Sequence, residues 1–416
     1  MEQQELIPHL FRTEFSRITA VLCQAFGIAH IEKAEDIAGE TFLAALETWP
    51  YKGIPANPVA WLYTVAKNKA KNRILRDQLF AGKIASHIKR SANANEQFDI
   101  DLSEKNIADS QLQMLFAICH SSISKEAQIG LALRILCGFG IDEIAHAFLT
   151  NKETINKRLS RAREKLREEK VTIAFPGEAA ISKRLSTVLT TLYLLFNEGY
   201  YSESHDAVIR EELCLEAMRL VYLLTEYEYT RRPEVYALLA LMCFHASRFP
   251  ARKNEAGEII LYDEQDETLW NQELIGKGAF YLHEASTGLI VSKYHLEAQI
   301  AYWHTLKADT TEKWENILQL YNRLLQFEYS PIAALNRTYA LARANGKQEA
   351  IAEAEKLKLE NNHYYFVLLG ELYSGTDDTK SKQCLQQALS LAHTPADRQT
   401  ILKKIAGLNG GRAALP

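Results

Sequence analysis

Apolar residues recur at spacings of three and four through most of this chain, and few stretches alternate with the period of two that a half-buried strand needs. The pattern predicts helices near 3–26, 31–48, 57–80, 108–120, 124–137, 141–149 and 151–170, then near 181–197, 207–227, 233–247, 266–285, 290–306 and 311–327. The expected fold class is all-α. Two stretches interrupt the rhythm. Residues 91–106, "SANANEQFDIDLSEKN", are aperiodic and acidic and read as a linker, and "TIAFPGEAA" (172–180) marks a second break. The expected organisation is therefore a helical domain over 1–90, a linker over 91–107, a second small helical domain over 108–172, a helical extension over 180–310 and repeats over 311–407.

The repeats rest on an offset of 34. Leu335 and Leu369, Tyr339 and Tyr373, Ala354 and Ala388, Leu357 and Leu391, and Ile317 and Ile351 match at that distance, and Cys384 follows Ala350 by it. Thirty-four is the period of tetratricopeptide-type helix pairs. The small residues at 354 and 388 are expected where paired helices close on each other.

Two short segments look like a helix-turn-helix. "IDEIAHAFL" (141–149) places Ile141, Ile144, Ala145 and Phe148 on one face, and "TNKETINKRLSRAREKLREE" (150–169) follows. Thr150 with Glu153 reads as a capping box, and Ile155, Leu159, Ala162 and Leu166 form its apolar stripe. The first turns of such a second helix enter the major groove, so Lys152, Thr154, Asn156 and Lys157 are candidates for base edges. Arg158, Arg161 and Arg163 are candidates for phosphates, which position the helix without reading sequence.

Charge sharpens this picture. The 416 residues carry a net charge of −4, with 47% apolar and 24% charged residues, but the first 175 balance near +2 and the remainder near −6. Positive charge gathers at 67–90 and 152–170, a distribution that points to a polyanion partner. In "NPVAWLYTVAKNKAKNRILR" (57–76), Lys67, Lys69, Lys71, Arg73 and Arg76 follow Trp61 and Tyr63. A basic track beside aromatic rings suits single-stranded DNA, where rings stack on unpaired bases. The preceding "TWPYKGIPANP" (48–58) reads as a rigid exposed loop from which Lys52 and Asn57 reach a flipped base. Ahead of it, "IEKAEDIAGETFLAALETW" (31–49) is amphipathic, with Ile31, Ala34, Ile37, Phe42, Ala45 and Leu46 inward and Glu32, Glu35, Asp36, Glu40 and Glu47 outward. Such an acidic face would bind a protein partner.

No phosphate-binding loop, dinucleotide fingerprint or paired-histidine metal motif occurs, and His245, His283, His295 and His304 lie on different predicted helices. Neither catalysis nor a cofactor or metal is expected. The six cysteines are scattered and read as buried thiols of a reducing compartment. The start shows no secretory pattern and no apolar run reaches membrane-spanning length, so the chain is expected in the cytoplasm. The polar insertion at 249–270, with Arg252, Asp263, Glu264, Asp266 and Trp270, reads as structural stitching ahead of a ligand site.

These motifs together resemble a bacterial RNA polymerase sigma factor of the extracytoplasmic-function group within the sigma-70 family, over residues 8–170. "KAEDIAGETFLAALETWP" is similar to region 2.2, and the resemblance implies that Glu35, Asp36, Glu40 and Phe42 face the β′ clamp helices of core polymerase. "NPVAWLYTVAKNKAKNRILR" looks like regions 2.3 and 2.4, which melt and read the −10 element, and this adds Asn68 to the candidate DNA contacts. "IDEIAHAFLTNKETINKRLSRAREKLRE" looks like region 4.2, which reads the −35 element beside the β flap. Gly39 stands where the family often has Gln, Asn72 where Asp is usual, and Leu75 replaces one arginine of a usual pair. The acidic linker residues Glu96, Asp99, Asp101, Glu104 and Asp109 are then expected to thread through polymerase.

Residues 180–407 resemble the long C-terminal extension of one sigma subgroup, which ends in tetratricopeptide-like repeats. The resemblance implies that this extension modulates activity, with an intramolecular contact to the sigma domains and no membrane partner. Two rivals remain: a helix-turn-helix regulator with a sensory, protein-binding helical domain, and a repeat scaffold that binds only proteins. Neither explains Trp61, Tyr63 and the acidic helix together.

Overall fold

The computed structural model describes residues 3–84, 100–148, 150–201, 207–252, 260, 262–288, 290–392 and 395–410. Among these residues there are eighteen α-helices and no strand. They form two compact units, Met1–Thr230 and Arg231–Pro416. The divisions expected at 90, 107 and 172 all fall inside the first unit. Of the acidic segment, residues 91–99 lie outside the described ones; Ile100 is buried and Ser103 caps the next helix.

The first unit comprises α1 (Gln3–Phe26), α2 (Ile31–Lys52), α3 (Pro58–Ile84), α4 (Glu104–Ile118), α5 (Lys125–Leu131), α6 (Ile141–Ala147), α7 (Lys152–Glu168), α8 (Glu178–Tyr201) and α9 (Ala207–Glu226). α1 packs against α2, α3 and α4, and α7 packs against the single turn Ile28–His30 that opens α2. α8 and α9 form a hairpin whose helices lie against α4, α5 and α6. Arg184 of α8 donates to the Phe116 carbonyl, and Thr191 donates to Gln128 Oε1 at 2.7 Å, both inside the region expected to stand alone.

Local chemistry explains most helix ends. Asn57 Oδ1 accepts from Ala60 N–H at 3.0 Å, with Pro58 at the first helical position of α3, where its missing N–H costs nothing. α2 continues through Pro50 and stops at Gly53, whose φ of 81° suits glycine and whose N–H returns to the Trp49 carbonyl. The exposed loop expected over 48–58 is thus only 53–57. Ser103 caps α4, so that helix starts four residues before the periodicity suggested and takes Glu104 into its first turn.

α5 widens into a π-turn at Ala132–Leu136, with Cys137 N–H bonded to the Ala132 carbonyl. Such turns frequently mark functional positions. This one contains Arg134.

The second unit comprises α10 (Pro233–Ala246), α11 (Gln272–Ala285), α12 (Lys293–Trp303), α13 (Thr311–Phe327), α14 (Pro331–Asn345), α15 (Lys347–Leu357), α16 (His363–Tyr373), α17 (Asp378–Leu391) and α18 (Pro395–Gly410). α10 is buried over nearly its whole circumference and packs on α11 and α12. From α12 onward each helix packs on the next. Leu335, Leu369 and Tyr373 enter the core, and Ala350, Ala354 and Ala388 are fully buried. A Cβ at Gly370 would stand 2.7 Å from Leu385 Cγ, so α16 and α17 approach as only a glycine permits.

Candidate polymerase and nucleic-acid interface

α6 and α7 are joined by four residues. The cap of α7 is Asn151, which accepts from Thr154 N–H at 2.8 Å; Thr150 stands one residue too early to cap it. Ile155, Leu159, Ala162 and Leu166 are buried as the periodicity requires. Asn156, Lys157 and Arg161 are exposed. Lys152 is also exposed and pairs with Asp142 at 3.0 Å, a contact of little energetic weight in water. Thr154 is half-buried, and the Arg158 guanidinium lies 5.8 Å from the centre of the Phe148 ring.

Arg163 departs from the expectation. It is 13% exposed and turned inward, with Nη2 2.7 Å from Glu35 Oε2. Glu35, at 9% exposure, is equally far from the outward position expected of it. Its other oxygen accepts from Arg134 Nε at 2.7 Å. Glu32 lies 3.7 Å from Arg163 and 3.8 Å from Arg167. One residue assigned to polymerase and one assigned to DNA are therefore bonded to each other.

The reason is legible on a helical wheel. Glu35 falls between Ile31, Ala38 and Phe42 on the buried stripe of α2, and a carboxylate there needs partners. Phe42 is buried too, at the T-shaped contact with Phe11. Asp36 and Glu40 are exposed on α2, and Glu40 reaches Lys69 at 3.1 Å. Leu46, expected inward, is 53% exposed, as is Leu43, because both fall on the side of α2 that no other helix covers. They border a groove of about 840 Å³ lined also by Ile7, Phe11, Phe42 and Trp49. A second concavity of about 470 Å³ adjoins it, lined by Glu32, Glu35, Asp36, Glu40 and Arg134.

On α3, Trp61 and Tyr63 do not make one stacking platform. Residues two apart on a helix point to different sides. Trp61 is half-buried edge-on to Trp49, at 5.4 Å between ring centres. The Tyr63 hydroxyl donates to buried Glu14 at 2.6 Å, and burial with this bond pushes its phenol up beyond the usual range. Tyr63 is a packing residue of α1 and α3. Lys52, Asn57, Asn68 and Arg76 are exposed, and Lys67, Lys71 and Arg73 are half-exposed. Arg73 lies 3.9 Å from Asp77. Among the linker acids, Glu96 and Asp99 lie outside the described residues. Asp101 holds Ser103, and Glu104 pairs with Arg17 at 3.1 Å.

The sequence reading also overlooked Arg12, which joins three helices: it bonds Glu143 of α6 at 2.6 Å and Glu212 of α9 at 3.0 Å. Glu143 itself accepts from Gly140 N–H at the start of α6. Arg134 could have been noticed as the lone charge in the apolar run 129–139.

In the second unit, the polar insertion is pinned to the α12–α13 connection. Lys307 Nζ donates to the Gln265 carbonyl at 2.8 Å, and buried Lys313 donates to the Tyr262 hydroxyl at 3.1 Å. The ring of Tyr262 faces the cations of Arg248, Lys307 and Lys313 at 5.4–5.5 Å. Asp266 caps a short turn through Thr268 N–H, and Trp270 is buried; the side chain of Asp263 lies outside the described residues. His245 and His304 are half-buried, and desolvation lowers both, His304 to about 3. His295 holds Ser292 and the Ala285 carbonyl. No group of three or more metal-ligating side chains occurs among the described residues. Burial pushes the Cys119 and Cys243 thiols up to about 12, which makes them inert. No described helix is long and apolar enough to cross a membrane.

Comparison with known proteins places matches on both parts of the chain. The profile of sigma-70 region 2 matches residues 19–79. A family of unknown function, DUF6596, matches residues 184–286. The chain is 30% identical over 348 residues to uncharacterized protein R00370 of Rhizobium meliloti (strain 1021), a match that covers 82% of each. No solved structure matches it.

Proposed function

From the match of residues 19–79 to sigma-70 region 2, we propose that the chain is an extracytoplasmic-function sigma factor that binds core RNA polymerase and directs it to start at particular promoters. Such a factor performs no catalysis of its own and works where the chromosome is, in the cytoplasm. The observation that supports the reading best is the match to region 2 over α1–α3, a segment that combines an acidic, groove-bearing helix with a basic one.

In this reading α2 meets the β′ clamp helices through its exposed stripe Asp36, Glu40 and Leu43, with the apolar groove beside it; Glu35 and Phe42 act from behind that stripe. The −10 element is contacted by Lys52 at the end of α2, by Asn57 in the loop that follows, and by Trp61, Lys67, Asn68, Lys71, Arg73 and Arg76 of α3, with Trp61 half-buried. α6 and α7 act as a helix-turn-helix at the −35 element beside the β flap, with Lys152, Thr154, Asn156, Lys157, Arg158 and Arg161 toward DNA. Helices α13–α18 act as a tetratricopeptide-like array that modulates the factor.

The test is co-purification with core polymerase followed by transcription. The full chain is expected to bind core and to create initiation. Lys157→Ala with Arg161→Ala is expected to lower initiation without lowering polymerase binding, because exposed cations on α7 meet DNA alone. Binding to core that creates no initiation anywhere would overturn the reading.

A further inference from the structure

Positions 34 residues apart on α13 and α15 part company at one place. Tyr321 and Leu324 of α13 are packed inward: burial pushes the Tyr321 phenol up to about 12, and Leu324 is 6% exposed. The residues 34 further on are Glu355 of α15 and Lys358 at its end, and both are exposed. Fully buried Ala350 likewise corresponds to half-buried Cys384. In place of the filled contact, a groove of about 820 Å³ lies open between α15, α16 and α17.

The floor of the groove is apolar and aromatic. Tyr365, Leu369 and Tyr373 of α16 are buried beneath it, and Phe366 meets Tyr365 edge-on at 5.2 Å. Opposite charges mark its two ends. Burial, and then the carboxylates of Glu355 and Glu360, push the Tyr365 phenol up, while Lys380 Nζ lies 5.0 Å from the centre of the Tyr373 ring. Tyr365 and Tyr373 are eight residues apart on one helix, about 12 Å along its axis. Glu355 is engaged by the Tyr373 hydroxyl at 2.5 Å, but among the described residues neither Glu360 nor Lys380 enters an ion pair. Along the α17 wall, exposed Gln383 and Gln387 are one turn apart, about 6 Å. That is close to the roughly 6.6 Å between alternate residues of an extended chain, so both amides can bond one peptide backbone.

We propose that this groove binds a short peptide with free termini, about three or four extended residues long. Its ammonium meets Glu360, its carboxylate meets Lys380, its backbone follows Gln383 and Gln387, and an apolar side chain lies on Tyr365 and Leu369. Charge complementarity selects this occupant. A ligand with opposite charges at its ends answers both Glu360 and Lys380, whereas an internal segment of a protein brings no charge to either. The volume is that of a small-ligand site, apolar below with a few polar groups to fix orientation. The inference goes beyond the transcriptional role proposed above and is decided on the chain alone.

The experiment uses the purified full chain and two pools of synthetic peptides, Ala-X-Ala and Ala-X-Ala-Ala, with X running through the standard residues. Cys384 lines the groove, and of the six cysteines it alone is not buried, so its alkylation by iodoacetamide, read by mass spectrometry, reports occupancy. Calorimetry then measures the affinity of the members that protect it. Members with an aromatic or large aliphatic X are expected to slow the alkylation. Acetylating the N-terminus or amidating the C-terminus is each expected to weaken binding about tenfold, the effect of losing one hydrogen bond to a charged group. Glu360→Gln is expected to make binding indifferent to acetylation, and Lys380→Gln indifferent to amidation; both residues are exposed, so both variants keep their fold. Glu355→Tyr with Lys358→Leu, which copies the pair found on α13, is expected to abolish binding. Failure of both pools to protect Cys384 would overturn the proposal. So would equal binding of peptides blocked at both ends, which would point to an internal segment of a protein partner. Neither outcome involves polymerase, so the functional reading stands or falls separately.

Discussion

The two units are joined inside by different chemistry. In the first, the contacts between helices distant in sequence are repeatedly charged or polar: Glu35 with Arg134 and Arg163, Arg12 with Glu143 and Glu212, Ser110 with Gln24, and Arg219 with the Leu136 carbonyl. In the second, successive helices meet through a core of alanine, leucine and aromatic rings, with Ala350, Ala354 and Ala388 at closest approach and Leu318, Leu324, Tyr365 and Leu372 inside, and polar links such as Arg337 to Asn322 and Lys404 to Glu371 lie around it. Apolar packing at crystal-like density has one good arrangement and resists sliding. Ionic seams depend on partners that another surface can replace.

The most severe way to break the first unit is to remove its cover. A chain ending near residue 175 loses α8 and α9, and with them buried Leu185, Val188, Leu192, Leu213 and Leu220. Each such side chain is worth roughly 1.5–3 kcal/mol of burial, so together they rival the roughly 5–15 kcal/mol of a whole domain. That truncation is expected to aggregate, while one ending at 230 keeps a cooperative melt by circular dichroism. Deleting the extension at the end of the DNA-binding segment therefore would not test its regulatory role.

A smaller effect separates the units. Gly370→Ala sets a methyl against Leu385, and is expected to cost about 1–3 kcal/mol by overpacking. Denaturant unfolding should show the loss in the second unit alone. Asn151→Ala removes the α7 cap and is expected to cost about 1 kcal/mol, seen as faster amide exchange over the first turn of that helix. Smallest of all, Asp77→Asn breaks the exposed contact to Lys33 and is expected to leave the melting temperature unchanged within error, because exposed pairs contribute little in water. If that exposed pair mattered as much as the enclosed pairs of Glu35, the distinction between surface and enclosed ion pairs in the first unit would fail.

How much of this was legible in sequence differs by element. Helices with a clear apolar stripe, α1, α2, α7 and α13 among them, lie close to where the period of 3.6 put them, because burial of one face decides both. The π-turn at 132–136 was not legible, since one extra residue per turn leaves no mark on an apolar run. The start of α4 was hidden by an acidic composition that read as linker, although Ser103 is an ordinary cap. At the candidate site, the basic residues were found by charge alone, and charge does not say which way a side chain points. Arg163 borders the buried stripe of α7 and Glu35 lies within that of α2; their positions among apolar neighbours held the information that their charges concealed.

The central claim is that this chain makes core polymerase start at chosen sites, and it can be tested without knowing any promoter. Core polymerase, the full chain and sheared chromosomal DNA from the host are combined, and transcript 5′ ends are sequenced with and without the chain. The account predicts a small set of new 5′ ends that share two upstream sequence blocks and vanish with Lys157→Ala and Arg161→Ala. New ends that never appear, despite stable binding to core, would contradict it.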